Sequence, residues 1–148
     1  MELAALDQNE LAAKLEDRLR KDREGWMEKI EALIQMMKSI TKLSEAQVYM
    51  LSYRQILIDK QADFQYTIYR KNSDYEVFYR SKFMEYVNSA TKLNGGERDR
   101  MVKADLTTIR RQINILESHM DFYKECIKTL DHMAFAIRNR IRLDDEQQ

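Results

Sequence analysis

An all-α fold follows from three observations on this 148-residue chain. It has no proline, it has only three glycines, and its apolar residues recur at steps of three and four. Proline clashes inside a helix and lacks a donor, and glycine weakens one, so a chain nearly free of both sustains long helices. The spacing predicts a long helical hairpin or coiled coil, preceded by an N-terminal helix and assembling into a helical oligomer. Residues 1–43 form an N-terminal charged and amphipathic segment; residues 44–148 form the hairpin, with arms at about 45–92 and 97–142.

In the N-terminal segment Trp26, Ile30, Leu33, Met37 and Ile40 mark an amphipathic helix. Ahead of it "KLEDRLRKDREG", Lys14 to Gly25, is nearly all charge with Leu15 and Leu19 as its anchors, which reads as a solvated or frayed helix. The next helix starts at "SEAQ", a capping box with Ser44 as N-cap and Gln47 reaching back. Its stripe is Val48, Leu51, Ile58, Ala62, Tyr66 and Tyr69, then Tyr75, Tyr79, Phe83, Tyr86, Ala90 and Leu93. The phase slips across "KNSD" at Lys71 to Asp74, where Asn, Ser and Asp compete for backbone hydrogen bonds, so a stutter, kink or short break is expected. "NGGE" at Asn94 to Glu97 is the strongest turn signal, because glycine takes left-handed backbone angles cheaply.

The last helix carries the clearest pattern. From Val102 the apolar positions Leu106, Ile109, Ile113, Leu116, Met120, Tyr123, Ile127, Leu130, Ala134, Ile137 and Ile141 alternate three- and four-residue steps without error. A second stripe, Ile115, His119, Phe122, Cys126, Met133 and Ala136, lies one flank over. Two apolar seams require two neighbours. One comes from the same chain and the other suggests a second subunit, which makes the first seam the candidate oligomerisation surface.

Composition limits the function classes. The 25 basic and 25 acidic residues cancel, which argues against coating duplex DNA by bulk charge and leaves room for a local basic patch. A single cysteine, Cys126, fits a reducing cytosol. No apolar run approaches the ~18–20 residues of a membrane span, and the N-terminus lacks a signal-peptide pattern, so a soluble cytoplasmic protein without a membrane partner is expected. His119 and His132 point to different helix faces. His119 and Cys126 share a flank, but a zinc site needs three or four protein ligands, and Cys126 reads as a small hydrophobe. No catalytic constellation and no phosphate loop is apparent, so the chain reads as a non-enzyme without a cofactor.

Eight of the aromatic residues lie between Phe64 and Tyr86. Tyr75, Tyr79, Phe83 and Tyr86 are spaced for packing. Tyr69, Arg70, Lys71, Phe78, Arg80 and Lys82 fall partly off that stripe. Rings beside cations are what a single-strand binder uses, the rings stacking on bases and the cations meeting phosphates. Arg80, Lys82, Lys92, Arg98, Arg100, Lys103, Arg110 and Arg111 also outnumber Glu85, Glu97, Asp99 and Asp105, and arms folded back at Gly95–Gly96 bring the eight to one end. Solvated helix faces explain the same charges.

"YRSKFMEYVNS", Tyr79 to Ser89, resembles the basic-aromatic motif of the UvsY family, the recombination mediators of T-even-type phages. Arg80 and Lys82 match its basic pair; Glu85 and Tyr86 match the acidic and aromatic cluster that follows, in altered order, with Asn88-Ser89 where the family has glycine. "KAD" at Lys103 to Asp105 and "MDFYKECIKTLDHMAFAIRNRI" at Met120 to Ile141 resemble its C-terminal helix. The resemblance spans about Tyr53 to Ile141 and leaves the N-terminal helix unexplained. It implies a non-enzymatic protein, in the cytoplasm of an infected bacterium, that binds single-stranded DNA and forms a ring through its C-terminal helices. Such a protein loads a RecA-like recombinase onto DNA coated by single-strand-binding protein. Arg80, Lys82, Tyr86, Phe78, Arg70 and Lys71 are then the candidate DNA contacts. A coiled-coil structural, adaptor or phage scaffold-type protein explains the heptads equally well.

Overall fold

The computed structural model describes residues 2–147, with side chains from Gln8 onward. Every element is helical: α1 (Glu2–Met37), a 3-10 turn (Ile40–Lys42), α2 (Leu43–Val87), α3 (Gly95–Asp105) and α4 (Thr107–Gln147). No strand occurs among the described residues, and no helix among them is long and apolar enough to cross a membrane.

Two compact units are formed, each from segments distant in sequence. Unit 1 takes the stretch up to Asp17 and Phe64–Ser118; unit 2 takes Arg18–Asp63 and everything from His119. In unit 1 the buried apolar side chains among the described residues are Ala12, Ile68, Tyr75, Val102, Leu106, Ile113 and Leu116. Lys71 Nζ of α2 donates to Gln112 Oε1 of α4 (3.0 Å), and Gln112 Nε2 donates to Gln8 Oε1 of α1 (3.1 Å). Tyr86 of α2 donates to Asp105 of α3 at 2.6 Å, and Tyr79 donates to Asp99.

Unit 2 has a larger apolar core. Leu19, Trp26 and Leu33 of α1, seven apart, are buried with Met50 and Leu57 of α2 and with Tyr123, Leu130 and Ile137 of α4. The Trp26 ring meets Tyr53 edge-on at 5.8 Å, and Lys29 Nζ sits 4.4 Å from its centroid. Arg54 of α2 donates to Asp131 of α4 at 2.8 Å, and Arg140 caps the end of α1 by donating to the Met37 carbonyl at 2.7 Å. The charged stretch of Lys14 to Gly25 is ordinary helix, with Leu19 anchored in the core.

Several local expectations are corrected. α2 begins one residue before Ser44, straight out of the 3-10 turn, so Ser44 lies in its first turn and does not cap it. α2 runs unbroken through Asn72 to Asp74. The slip in phase is a change of face: Val48, Leu51, Tyr66 and Tyr69 point to solvent, while Ala46, Met50, Leu57, Ile68 and Tyr75 point inward. Gly95 and Gly96 take no left-handed angles; they open α3 behind Asn94, whose side chain accepts from the Glu97 amide while Glu97 reaches back to the Asn94 amide. The turn itself lies upstream, between Val87 and Asn94. The last helix is broken at Leu106, where the Thr107 hydroxyl donates to the carbonyls of Lys103 and Ala104 and stands in for helix bonds.

The heptad seam of α4 is largely consumed inside the chain. Leu106, Ile113, Leu116, Tyr123, Leu130 and Ile137 are buried within a single copy, and Ile109, Met120, Ile127 and Ile141 are partly so. On the second stripe His119, Cys126 and Met133 are buried as well. Ile115 and Phe122 of that stripe are half-buried and Ala136 is exposed.

Candidate nucleic-acid interface

α2 positions the candidate residues of unit 1. A helix turns 100° per residue, so Tyr66, Tyr69, Arg70, Ser73, Val77, Arg80 and Met84 fall on one face. That face is the one away from Ile68 and Tyr75, and it is open to solvent. Tyr66 is 63 % exposed, Tyr69 69 %, and Phe78, on its flank, 49 %. The Arg70 guanidinium lies 5.9 Å from the Tyr66 ring centroid, one turn away. Two rings and two arginines therefore line one strip, which combines stacking surface with cations.

The six sequence-predicted DNA-binding residues do not all meet there. Arg70, Phe78 and Arg80 are exposed. Lys82, two positions from Arg80, projects from nearly the opposite side and is paired with Glu85 at 3.2 Å. Tyr86 spends its hydroxyl on Asp105 and Lys71 its ammonium on Gln112. Hydrogen bonding to the Asp99 and Asp105 carboxylates raises the Tyr79 and Tyr86 phenol pKa values, with a smaller push from desolvation, and draws the Asp99 carboxyl down. These groups hold α3 on α2.

Tyr66 was missed in the sequence because its spacing with Val48 and Leu51 matches a core stripe, and periodicity alone cannot say which of two stripes faces inward. The eight basic residues do share unit 1, but several are committed: Lys103 pairs with Asp99 at 3.1 Å, Arg111 with Glu16 at 2.9 Å, and Arg110 lies 4.4 Å over the Tyr75 ring.

A second polar cluster lies in unit 2. Asp22 Oδ2 accepts from Tyr123 Oη (2.6 Å) and from His119 Nε2 (2.8 Å), and Lys60 Nζ stands 4.0 Å from Oδ1. Desolvation pushes the His119 pKa down and outweighs the Asp22 carboxylate that pulls it up. Asp22 is desolvated too, but the bonds from Tyr123 and His119 prevail and lower its pKa. Neighbouring Cys126 is buried, and desolvation pushes its thiol up to about 11, leaving an unreactive thiol at neutral pH. No group of three or more potential metal-ligating side chains occurs among the described residues. Compared with known proteins, the chain matches no family model, no curated protein and no solved structure.

Proposed function

We propose that this chain is a non-catalytic protein that binds single-stranded nucleic acid along the outer face of α2, and that it serves as a recombination mediator. In that role it bridges single-stranded DNA, a RecA-like recombinase and a single-strand-binding protein. The observation that carries the reading is the exposure of Tyr66 and Tyr69 beside Arg70 and Arg80 on one face. Large exposed rings interleaved with guanidinium groups, and backed by no core need, suit unpaired bases and their phosphates. The resemblance of Tyr79 to Ser89 to the mediator motif supports the biological role, with Arg80 as its solvent-facing member.

Fluorescence anisotropy of a labelled single strand, against duplex and at several salt concentrations, tests it. Tyr66→Ala with Tyr69→Ala should weaken single-strand binding without flattening its salt dependence. Arg70→Ala with Arg80→Ala should do both, lowering the slope by ~0.7 for each phosphate that is no longer neutralised. Full affinity in both double variants would sink the reading.

A coiled-coil assembly protein is the second reading. It is favoured by Val48 and Leu51 in unit 2, exposed at 67 % and 65 % and set at heptad spacing, a surface that suits a second copy of the chain. Val48→Asp with Leu51→Asp should then reduce the mass seen in sedimentation while helicity stays at the wild-type level.

A further inference from the structure

We infer that residues 8–17 of α1 form an acidic strap that engages cations of α2 and α4 in unit 1, apart from the outer face of α2, and withholds them from bound nucleic acid; this rests on the binding reading proposed above. The strap carries Glu10, Glu16 and Asp17 against one lysine, Lys14. It bonds Arg111 directly and reaches Lys71 through Gln112, both within the same unit. Its bonds there are polar. Arg111 donates to one oxygen, Glu16 Oε1, through both Nε (3.3 Å) and Nη2 (2.9 Å), a charge-assisted contact that a phosphate oxygen could take over. Thr108 Oγ1 donates to Asn9 Oδ1 at 3.4 Å. Gln8 holds the amide of Gln112, and the Gln112 carbonyl in turn holds Lys71. Glu16 thus occupies a place a phosphate oxygen would take, and Gln8 indirectly secures a second cation.

The strap is lightly anchored. Ala12 is its one fully buried side chain among those described, and Leu11 is 53 % exposed. The Arg111–Glu16 pair is half exposed on both sides, so solvent and salt weaken it. Farther along, the same helix is held by Leu19, Trp26 and Leu33 in the core of unit 2. A segment tied by charge, with little apolar burial, can yield to a polyanion while the remainder of its helix stays in place. Lifting it releases Arg111 and, through Gln112, Lys71.

The experiment uses the full chain and a fluorescein-labelled oligothymidylate. Ala12→Asp puts a carboxylate at the strap's buried position and adds negative charge, which by itself can only weaken binding to a polyanion. The inference requires the opposite: affinity up by about tenfold near 0.1 M salt and a salt slope steeper by ~1.4, the signature of two more phosphates neutralised. Amide hydrogen exchange over residues 8–17 should speed up in the same variant. If exchange speeds up while affinity and slope stay at wild-type values, the strap does not restrain binding and the inference falls. Should Ala12→Asp lose helicity, Glu16→Gln against Glu10→Gln decides. Both remove one charge, and only the first should tighten binding; equal effects overturn the inference. A wild-type chain and variants that all fail to bind bring down the binding reading, and the strap with it.

Discussion

Asp22 of α1 is held by two side chains of α4. One carboxylate oxygen serves both Tyr123 and His119, and His119 is entirely shut off from water. A neutral imidazole with Nε2 protonated fits this carboxylate partner, and burial opposes its charging. The unfolded chain therefore takes up a proton on His119 before the folded chain does. Stability attributable to this group is complete above pH ~6.5 and is lost as the pH falls from there through the lowered folded value. Asp22, also lowered in the fold, adds a further loss below pH ~3.8. Urea midpoints measured downward from neutral pH should fall, and His119→Gln should remove the part of that decline seen between pH ~7 and ~5.5. Asp22→Asn leaves one neutral acceptor where two donors met a charge, and should cost about 2–3 kcal/mol by the same measurement. Cys126 beside them should react with a thiol reagent only after denaturant is added.

At the scale of elements, α1 carries an avoidable weakness. Gly25 lies within a 36-residue helix with open space where a Cβ would stand, and its φ is not positive. Gly25→Ala should therefore raise stability by about 1 kcal/mol, read as a higher urea midpoint with unchanged spectra. α4 was the most legible element, because Ile113 to Ile137 keep one register and turn that edge inward. α2 was half legible. It carries apolar residues on two faces, and only the neighbouring helices decide that Met50, Leu57 and Ile68 are core while Val48, Leu51 and Tyr69 are not. The Leu106 break was hidden because it depends on the Thr107 hydroxyl, not on a breaker residue. The Asp22 cluster lay within "KLEDRLRKDREG", where one partnered carboxylate looks like any other charge. Of the candidate interface, the cluster of rings and cations was legible, and the direction in which each projects was not. Arg80 and Lys82 lie two positions apart in sequence and diverge on the helix.

For the whole molecule, the burial of the α4 seam within one copy changes what its disruption should do. Ile113 is fully enclosed, so Ile113→Asp should abolish helicity and cooperative unfolding, and not simply yield a smaller folded species in sedimentation. The two units also differ in their chromophores. Trp26, the only tryptophan, belongs to unit 2, with the Tyr53 edge and the Lys29 ammonium against its indole. Five of the eight tyrosines, from Tyr66 to Tyr86, belong to unit 1. Excitation at the red edge of the absorption band therefore follows the melting of one unit alone, and circular dichroism follows both. Coincident curves would mean that α1, α2 and α4 transmit unfolding from one unit to the other as a single cooperative event. Separated curves would give the chain a native optical readout of partial unfolding, with no label attached.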